Sequence, residues 1–165
     1  YISSELERNI AGEPIAGIKL KGKIDRCDKY RGSGSPVNII DYKTGGASLN
    51  CKQVLEGKEN LQLFLYASLL TNHGYNIGKV GIYSLKEINI KWCPPRARSK
   101  GQGTKGRKQK EDSGSASLDE YIVASLKFLE EAVKEMRDGD FRAEPLNDFN
   151  CRTCHEYSLC PYVQQ

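Results

Sequence analysis

No run of apolar residues in this chain is long enough to cross a bilayer, which excludes a helical membrane span. No basic start, apolar stretch and small-residue cleavage site open it, so no secretory leader is expected. It has no initiator methionine and begins abruptly at "YISSELERN", so a piece of a longer protein is expected. No internal repeat is visible. Charge of one sign is also scarce: 25 basic against 21 acidic residues leave a net charge of +4, too mild to demand a nucleic-acid partner. The local deficit says more. Between Arg96 and Lys110 there are seven basic residues and no acidic one. Such a run can attract phosphates through its field and through counterion release. It can equally be a solvated loop. The remainder is ordinary for a globular chain, with 38% hydrophobic and 28% charged residues, and 165 residues suffice for one domain with a core.

Six cysteines stand at positions 27, 51, 93, 151, 154 and 160. An even count invites disulfides. The size of the core and the missing leader instead suggest a reducing, cytoplasmic setting. Cys151, Cys154 and Cys160 follow C-x2-C-x5-C, too close for all to pair with one another, and suited to sharing one soft metal centre. Zinc is one option, with His155, Cys27, Cys51 or Cys93 as fourth ligand. Unligated thiols around a small turn are the other.

Residues 1–17 read as a short helix or an edge strand. From Gly17 to Tyr30 the chain alternates. Ile18, Leu20 and Ile24 fall on one side, and Lys19, Lys21, Lys23 and Asp25 on the other. "RGSGSP" is a turn, and "VNIIDYK" at 37–43 completes a β-hairpin. A short helix is expected in the connection that follows. Residues 60–74, "NLQLFLYASLLTNHG", spell a buried helix with Leu61, Phe64, Leu65, Leu69 and Leu70 on its apolar face, Asn60 as cap and Gly74 at its end. Residues 79–92 give one or two strands. Strand, helix, strand implies a crossover onto a mixed sheet. Residues 94–116 read as a mobile basic loop. Ser117 and Glu120 form a capping box for a last helix. Its stripe, Ile122, Leu126, Leu129, Val133 and Met136, is expected to pack on the sheet. His73 reads as a helix-end residue and Trp92 as a packing residue.

Asp41 and Lys43 end the apolar strand at alternate positions, so they project to one side. Asp25 can lie across the hairpin from Asp41. Two carboxylates converging there make a hard oxygen site suited to Mg²⁺ or Mn²⁺. Such an ion can hold a phosphate oxygen and lower the pKa of a bound water. A charged cross-strand pair is the plainer meaning of D-x-K. Gln62 and Tyr66, four apart on the helix, share a face. A glutamine on a largely apolar helix needs a polar partner. A cleft holding the acids would supply one; otherwise Gln62 caps a neighbouring loop and Tyr66 is core.

"GKIDR" at 22–26, "IIDYKTG" at 39–45 and "QLFLYA" at 62–67 resemble, in this order, the motifs of the PD-(D/E)XK nuclease superfamily, and more narrowly its RecB-like nucleases. These include the nuclease domains of the bacterial helicase–nuclease recombination complexes (RecB, AddA, AddB) and the CRISPR-associated RecB-like exonucleases. The resemblance covers almost the whole chain. It implies an α/β (α+β) restriction-endonuclease-like fold, a mixed central sheet flanked by helices. It implies metal-dependent DNA hydrolysis in recombination and repair, on single-stranded or unwound ends, beside a helicase domain or a helicase partner chain. By the same resemblance Asp25 and Asp41 bind the metal, the Tyr42 carbonyl joins them, and Lys43 is the catalytic lysine. Gln62 and Tyr66 contact DNA or support the site, and Arg26 and Thr44 help hold phosphates. That fold opens with a helix carrying a Glu or His near the metal. This helix has no clear place here; Glu5 and Glu7 are the only early candidates.

The trio also matches, as "C-x2-C-x5-CP", the trailing cysteines of a [4Fe–4S] cluster in AddB-like nucleases and many CRISPR-associated exonucleases. Their leading cysteine has no counterpart before Asp25. The resemblance thus implies a structural cluster in the parent protein, a nuclease core over residues 1–150, and a cysteine module over 151–165 packed on that core.

Overall fold

A computed structural model describes residues 2–12, 17–32, 34–46, 49–56, 61–93, 116–142, 151–152, 154–158 and 160. The expected cap Asn60, the basic run 96–110, almost all of the loop 94–116 and most of the linker before Cys151 lie outside the described residues.

Five strands form one mixed sheet in the order β1-β2-β3-β4-β5. They are β1 (Ile2–Ala11), β2 (Lys21–Tyr30), β3 (Val37–Lys43), β4 (Ile77–Ser84) and β5 (Asn89–Cys93). Among the described residues three helices accompany the sheet: α1 (Cys51–Leu55), α2 (Leu61–Asn72) and α3 (Leu118–Arg137). Neighbours are antiparallel except β3 and β4, which are parallel. That one parallel pair needs a crossover, and α1 with α2 provides it. β3 is central, which accounts for its nearly continuous buried run Val37, Ile39, Ile40 and Asp41. No described helix is long and apolar enough to cross a membrane.

The ambiguous opening is a strand. β1 pairs with β2 along almost its whole length, from Ile2 against Tyr30 to Ala11 against Lys21. Glu5 and Glu7 therefore stand on an edge strand, both exposed, in ion pairs with Arg8 and Lys23. The expected strand at 17–30 starts later, at Lys21. Ile18 is 37% exposed, so Ile24 anchors the inward side while Leu20 is only half-buried.

α2 buries Leu63, Phe64, Ala67, Ser68, Leu69 and Leu70. It ends where Tyr75 N–H reaches back to the Leu70 carbonyl and Gly74 takes φ +80°, which only glycine adopts freely. His73 closes the corner: its Nε2 donates to the Ala11 carbonyl at 2.7 Å and ties the helix end to β1. α3 starts with both bonds of the expected capping box, Glu120 N–H to Ser117 Oγ and Ser117 N–H to the Glu120 carboxylate. Its packing differs from expectation. It lies on α1 and α2 rather than on the sheet, burying Tyr121, Ser125 and Val133. Met136, at the end of the expected stripe, is 47% exposed. Tyr121 meets Phe64 with ring centroids 5.5 Å apart.

Candidate active site

The β2–β3 ladder runs from Lys29 against Val37 to Arg26 against Ile40, and Asp25 and Asp41 are the next residue of each strand beyond it. The two acids meet at a single peptide unit. Tyr42 N–H, joined directly to the Asp41 carbonyl, donates to Asp25 Oδ2 at 2.9 Å. Lys43 Nζ lies 2.8 Å from Asp41 Oδ2. That contact has ion-pair distance but not hydrogen-bond direction, and Asp41 Oδ2 is a buried oxygen with no hydrogen-bond partner. A buried carboxylate oxygen that has one ion pair and no directed hydrogen bond is incompletely satisfied. A divalent cation would complete it. Carboxylates of Asp25 and Asp41 with the Tyr42 carbonyl offer hard oxygen donors of the kind Mg²⁺ and Mn²⁺ take, so these residues fit such an ion. Beyond Lys43 the chain leaves through Thr44 and two glycines. The Ser84 hydroxyl donates to the Gly45 carbonyl at 3.0 Å and accepts from Glu87 N–H at 3.0 Å, which fixes the turn beside the site.

Asp25 sits at a break in strand alternation. The β1–β2 ladder pairs Leu6 with Arg26 and Arg8 with Ile24, but skips Glu7 against Asp25. Glu7 has φ +53°, uncommon for a residue with a side chain. On β2 both Ile24 and Cys27 belong to the core, although they are three apart and regular alternation would oppose them. The expected shared face of Lys23 and Asp25 is therefore interrupted at Asp25. Irregularities of this kind re-aim a side chain beside a site.

Behind these acids lies a second cluster. Arg26 grips Asp28 with two parallel bonds, Nε to Oδ1 at 2.7 Å and Nη2 to Oδ2 at 2.8 Å. The Ser4 hydroxyl also donates to Asp28 Oδ1, at 2.7 Å. Arg26 Nη1 reaches the Tyr42 phenol at 3.3 Å, and the Tyr42 ring meets Tyr83 edge-on at 5.5 Å. Burial pushes the Asp28 carboxyl up, but the Arg26 guanidinium and the Ser4 hydroxyl outweigh it and hold it below the ordinary range. Bonds to Asp28 and then Tyr42 raise the Arg26 pKa. Arg26 is thus engaged by Asp28, where the resemblance had it on DNA phosphates. Sequence reasoning passed over Asp28. Its signal was present: alternate positions on a strand share a face, so "RCD" puts a cation beside an anion.

Gln62 and Tyr66 come together, with the Gln62 amide donating to the Tyr66 hydroxyl at 2.8 Å. Gln62 is exposed rather than buried, so water and that phenol satisfy it. Both residues line a hollow of about 250 Å³ with Leu20, Lys21, Leu65 and Leu69. A Cβ at Gly22 would collide with the Tyr66 ring, so the close approach of α2 to β2 requires glycine there. On β2 this hollow is lined by Lys21, four residues before Asp25. Among the described residues no hydrogen bond or ion pair links the pair to Asp25, Asp41 or Lys43.

The cysteines divide differently from expectation. Cys51 and Cys93 stand sulfur to sulfur at disulfide distance, which draws α1 to the end of β5. Cys27 is buried and its thiol is pushed up to about 11 by burial, so it stays a protonated core residue. Cys151, Cys154 and Cys160 are free, Cys154 exposed and the other two half-buried. Cys154 N–H bonds the Cys151 carbonyl at 3.2 Å in a tight turn. Among the described residues no three His, Cys, Asp or Glu side chains gather closely enough to hold a metal, and the trio Cys151, Cys154 and Cys160 is not assembled as a cluster site.

The chain matches the PD-(D/E)XK nuclease superfamily over residues 2–161. It is similar to an ATP-dependent helicase/deoxyribonuclease subunit from Carboxydothermus hydrogenoformans, 34% identical over 140 residues, 73% of this chain and 12% of that protein. The protein of the same name from Caldanaerobacter subterraneus subsp. tengcongensis is 31% identical over 118 residues, 71% of this chain and 10% of its own. That from Clostridium perfringens is 26% identical over 121 residues, 73% of this chain and 10% of its own. The chain therefore spans only 10–12% of the length of these curated relatives. With a match over nearly its entire length, and with the acids and lysine of that motif set gathered at one peptide, the chain belongs to the PD-(D/E)XK nuclease superfamily.

Proposed function

We propose that this chain is the nuclease domain of a helicase–nuclease protein and hydrolyses DNA phosphodiester bonds with Mg²⁺ or Mn²⁺. One observation carries the reading: Asp25 and Asp41 converge on the Asp41–Tyr42 peptide, with the Lys43 ammonium 2.8 Å from Asp41. Asp25, Asp41 and the Tyr42 carbonyl would hold the cation. When bound, the cation supplies charge neutralisation at the phosphate and a water of lowered pKa. Lys43 orients that water and steadies the charge growing on the phosphate oxygens. Asp41 keeps the lysine ammonium at the site. Gln62 and Tyr66 guide the strand past Lys21 into it. The substrate is single-stranded or unwound DNA delivered by a helicase; that the similar proteins are helicase/deoxyribonuclease subunits supports DNA and a helicase. The nuclease core spans residues 1–150, and the setting is cytoplasmic.

The test uses the full-length protein and linear DNA. Cleavage appears with Mg²⁺ or Mn²⁺, stops with EDTA and returns when Mn²⁺ is restored. A second reading, an idle DNA-binding module, draws on the lack of three gathered ligands among the described residues. DNA binding that persists with Mn²⁺ present and no cleavage would establish that reading instead.

The trio Cys151, Cys154 and Cys160 forms, in this proposal, three ligands of a [4Fe–4S] cluster that takes its fourth from elsewhere in the parent protein. Its part is to pin the 151–165 module on the core; it takes no step in hydrolysis. Full-length protein purified without oxygen should contain iron and be brown. Cys154→Ser should lose the iron and melt several degrees lower, as removal of a structural metal centre does. An iron-free wild type of the same stability as Cys154→Ser would end the cluster reading.

A further inference from the structure

We propose that Arg26, held by Asp28 and bonded to the Tyr42 phenol, is a positioning residue that clamps the Asp41–Tyr42–Lys43 backbone from the opposite face of the sheet. The inference rests on the proposed nuclease roles of Asp41 and Lys43 and adds the residues that aim them. Tyr42 lies between those two residues, so its side chain points away from theirs. Ile40, two residues earlier on that face, is fully buried yet stands outside the principal core. On that face Tyr42 is held at two points, by Arg26 at its hydroxyl (3.3 Å) and by Tyr83 at its ring (5.5 Å).

The far end of the clamp is stiff. Asp28 is 6% exposed, and its carboxylate takes three bonds, two from Arg26 and one from Ser4. A forked guanidinium set on a carboxylate has little rotational freedom left, so its remaining nitrogen is aimed rather than free to wander. β2 thus holds Tyr42 from both sides: Asp25 takes its N–H in front and Arg26 takes its phenol behind. The two grips share one strand and are one residue apart, so a shift in either moves the peptide that carries Asp41. A site that must place acids and an amine within a fraction of an ångström needs such support.

The experiment compares wild type, Tyr42→Phe and Arg26→Lys in the full-length protein. Tyr42→Phe keeps the ring and its contact with Tyr83 but removes the hydroxyl. Arg26→Lys keeps the charge but loses the fork. Hydrogen exchange is read first, without reference to cleavage. In both variants amides 41–43 should exchange roughly tenfold faster, the size of one charge-assisted bond, while those of β4 keep their protection. Cleavage is read second. kcat should fall, and the Mn²⁺ concentration for half activation rise, each roughly tenfold, with KM for DNA unchanged. The double variant should be no worse than Arg26→Lys alone, because both remove one contact.

Unchanged exchange at 41–43 would overturn the clamp even if the protein cleaves DNA normally. So would loss of protection spread evenly over the sheet with a matching fall in melting temperature, the mark of a merely structural pair. If exchange responds as expected but the wild type cleaves no DNA, the clamp stands and the nuclease reading falls.

Discussion

Lys43→Ala in the full-length protein should lower metal-dependent DNA cleavage by roughly 10³-fold, the scale of losing a group aimed at transition-state charge. The fold should survive. The Lys43 side chain is 49% exposed and its ion pair is with Asp41, so its direct contribution to stability is at most about 1 kcal/mol. One refinement follows from the burial of Asp41, whose side chain is 11% exposed. Without the ammonium, Asp41 Oδ2 keeps no ion pair among the described residues. The variant should therefore melt lower than wild type in EDTA and recover most of the difference with Mn²⁺, since a ligand of the native state alone stabilises it by mass action. Initial rates on end-labelled single-stranded DNA, with melting curves in EDTA and Mn²⁺, check both halves. Cleavage at the wild-type rate would remove Lys43 from the mechanism.

Phe64→Ala should have the largest effect on the fold itself. The ring is fully buried and meets Tyr121 at 5.5 Å, so it is where α2 and α3 join. Truncating a buried phenylalanine costs about 3–5 kcal/mol, the transfer of the ring plus the cavity left behind. Against a typical domain stability of about 5–15 kcal/mol that is severe. Met136→Ala, at a position 47% exposed, should change stability by less than about 0.5 kcal/mol. Denaturant midpoints for the two variants separate these cases. Equal shifts would mean that α3 docks through its sequence stripe after all.

The contrast between Phe64 and Met136 shows where sequence reasoning reached its limit. A stripe at helical spacing marks a helix and an apolar side. It does not say which partner that side meets or how far the contact runs. α3 rests on two helices rather than a broad sheet, so the contact takes Tyr121, Ser125 and Val133 and leaves the C-terminal methionine in water. Gln62 teaches the same lesson from the polar side. Its helix is rich in leucine, yet Gln62 lies on the rim and needs only the Tyr66 hydroxyl and solvent. Cys51 and Cys93 are separated by 42 residues, and nothing in either neighbourhood announces the other. They meet because the crossover between β3 and β4 carries α1 to the end of β5, which only the packed sheet decides.

By itself the sequence determined what is local: the β2–β3 hairpin, α2 with its glycine stop, the capping box of α3, and the order of the three motifs that carry Asp25, then Asp41 with Lys43, then Gln62 with Tyr66. Periodicity, caps and turns act over a few residues, so they are written where they act. Only the tertiary structure decided that the opening segment is a strand, that alternation breaks at Glu7 and Asp25, that Asp28 and Arg26 stand behind Tyr42, and that two distant cysteines pair. Each of these depends on which strand lies beside which and in what register. That choice is made by the whole sheet and its helices packing together, because a shift of one residue turns every side chain of a strand to the other face.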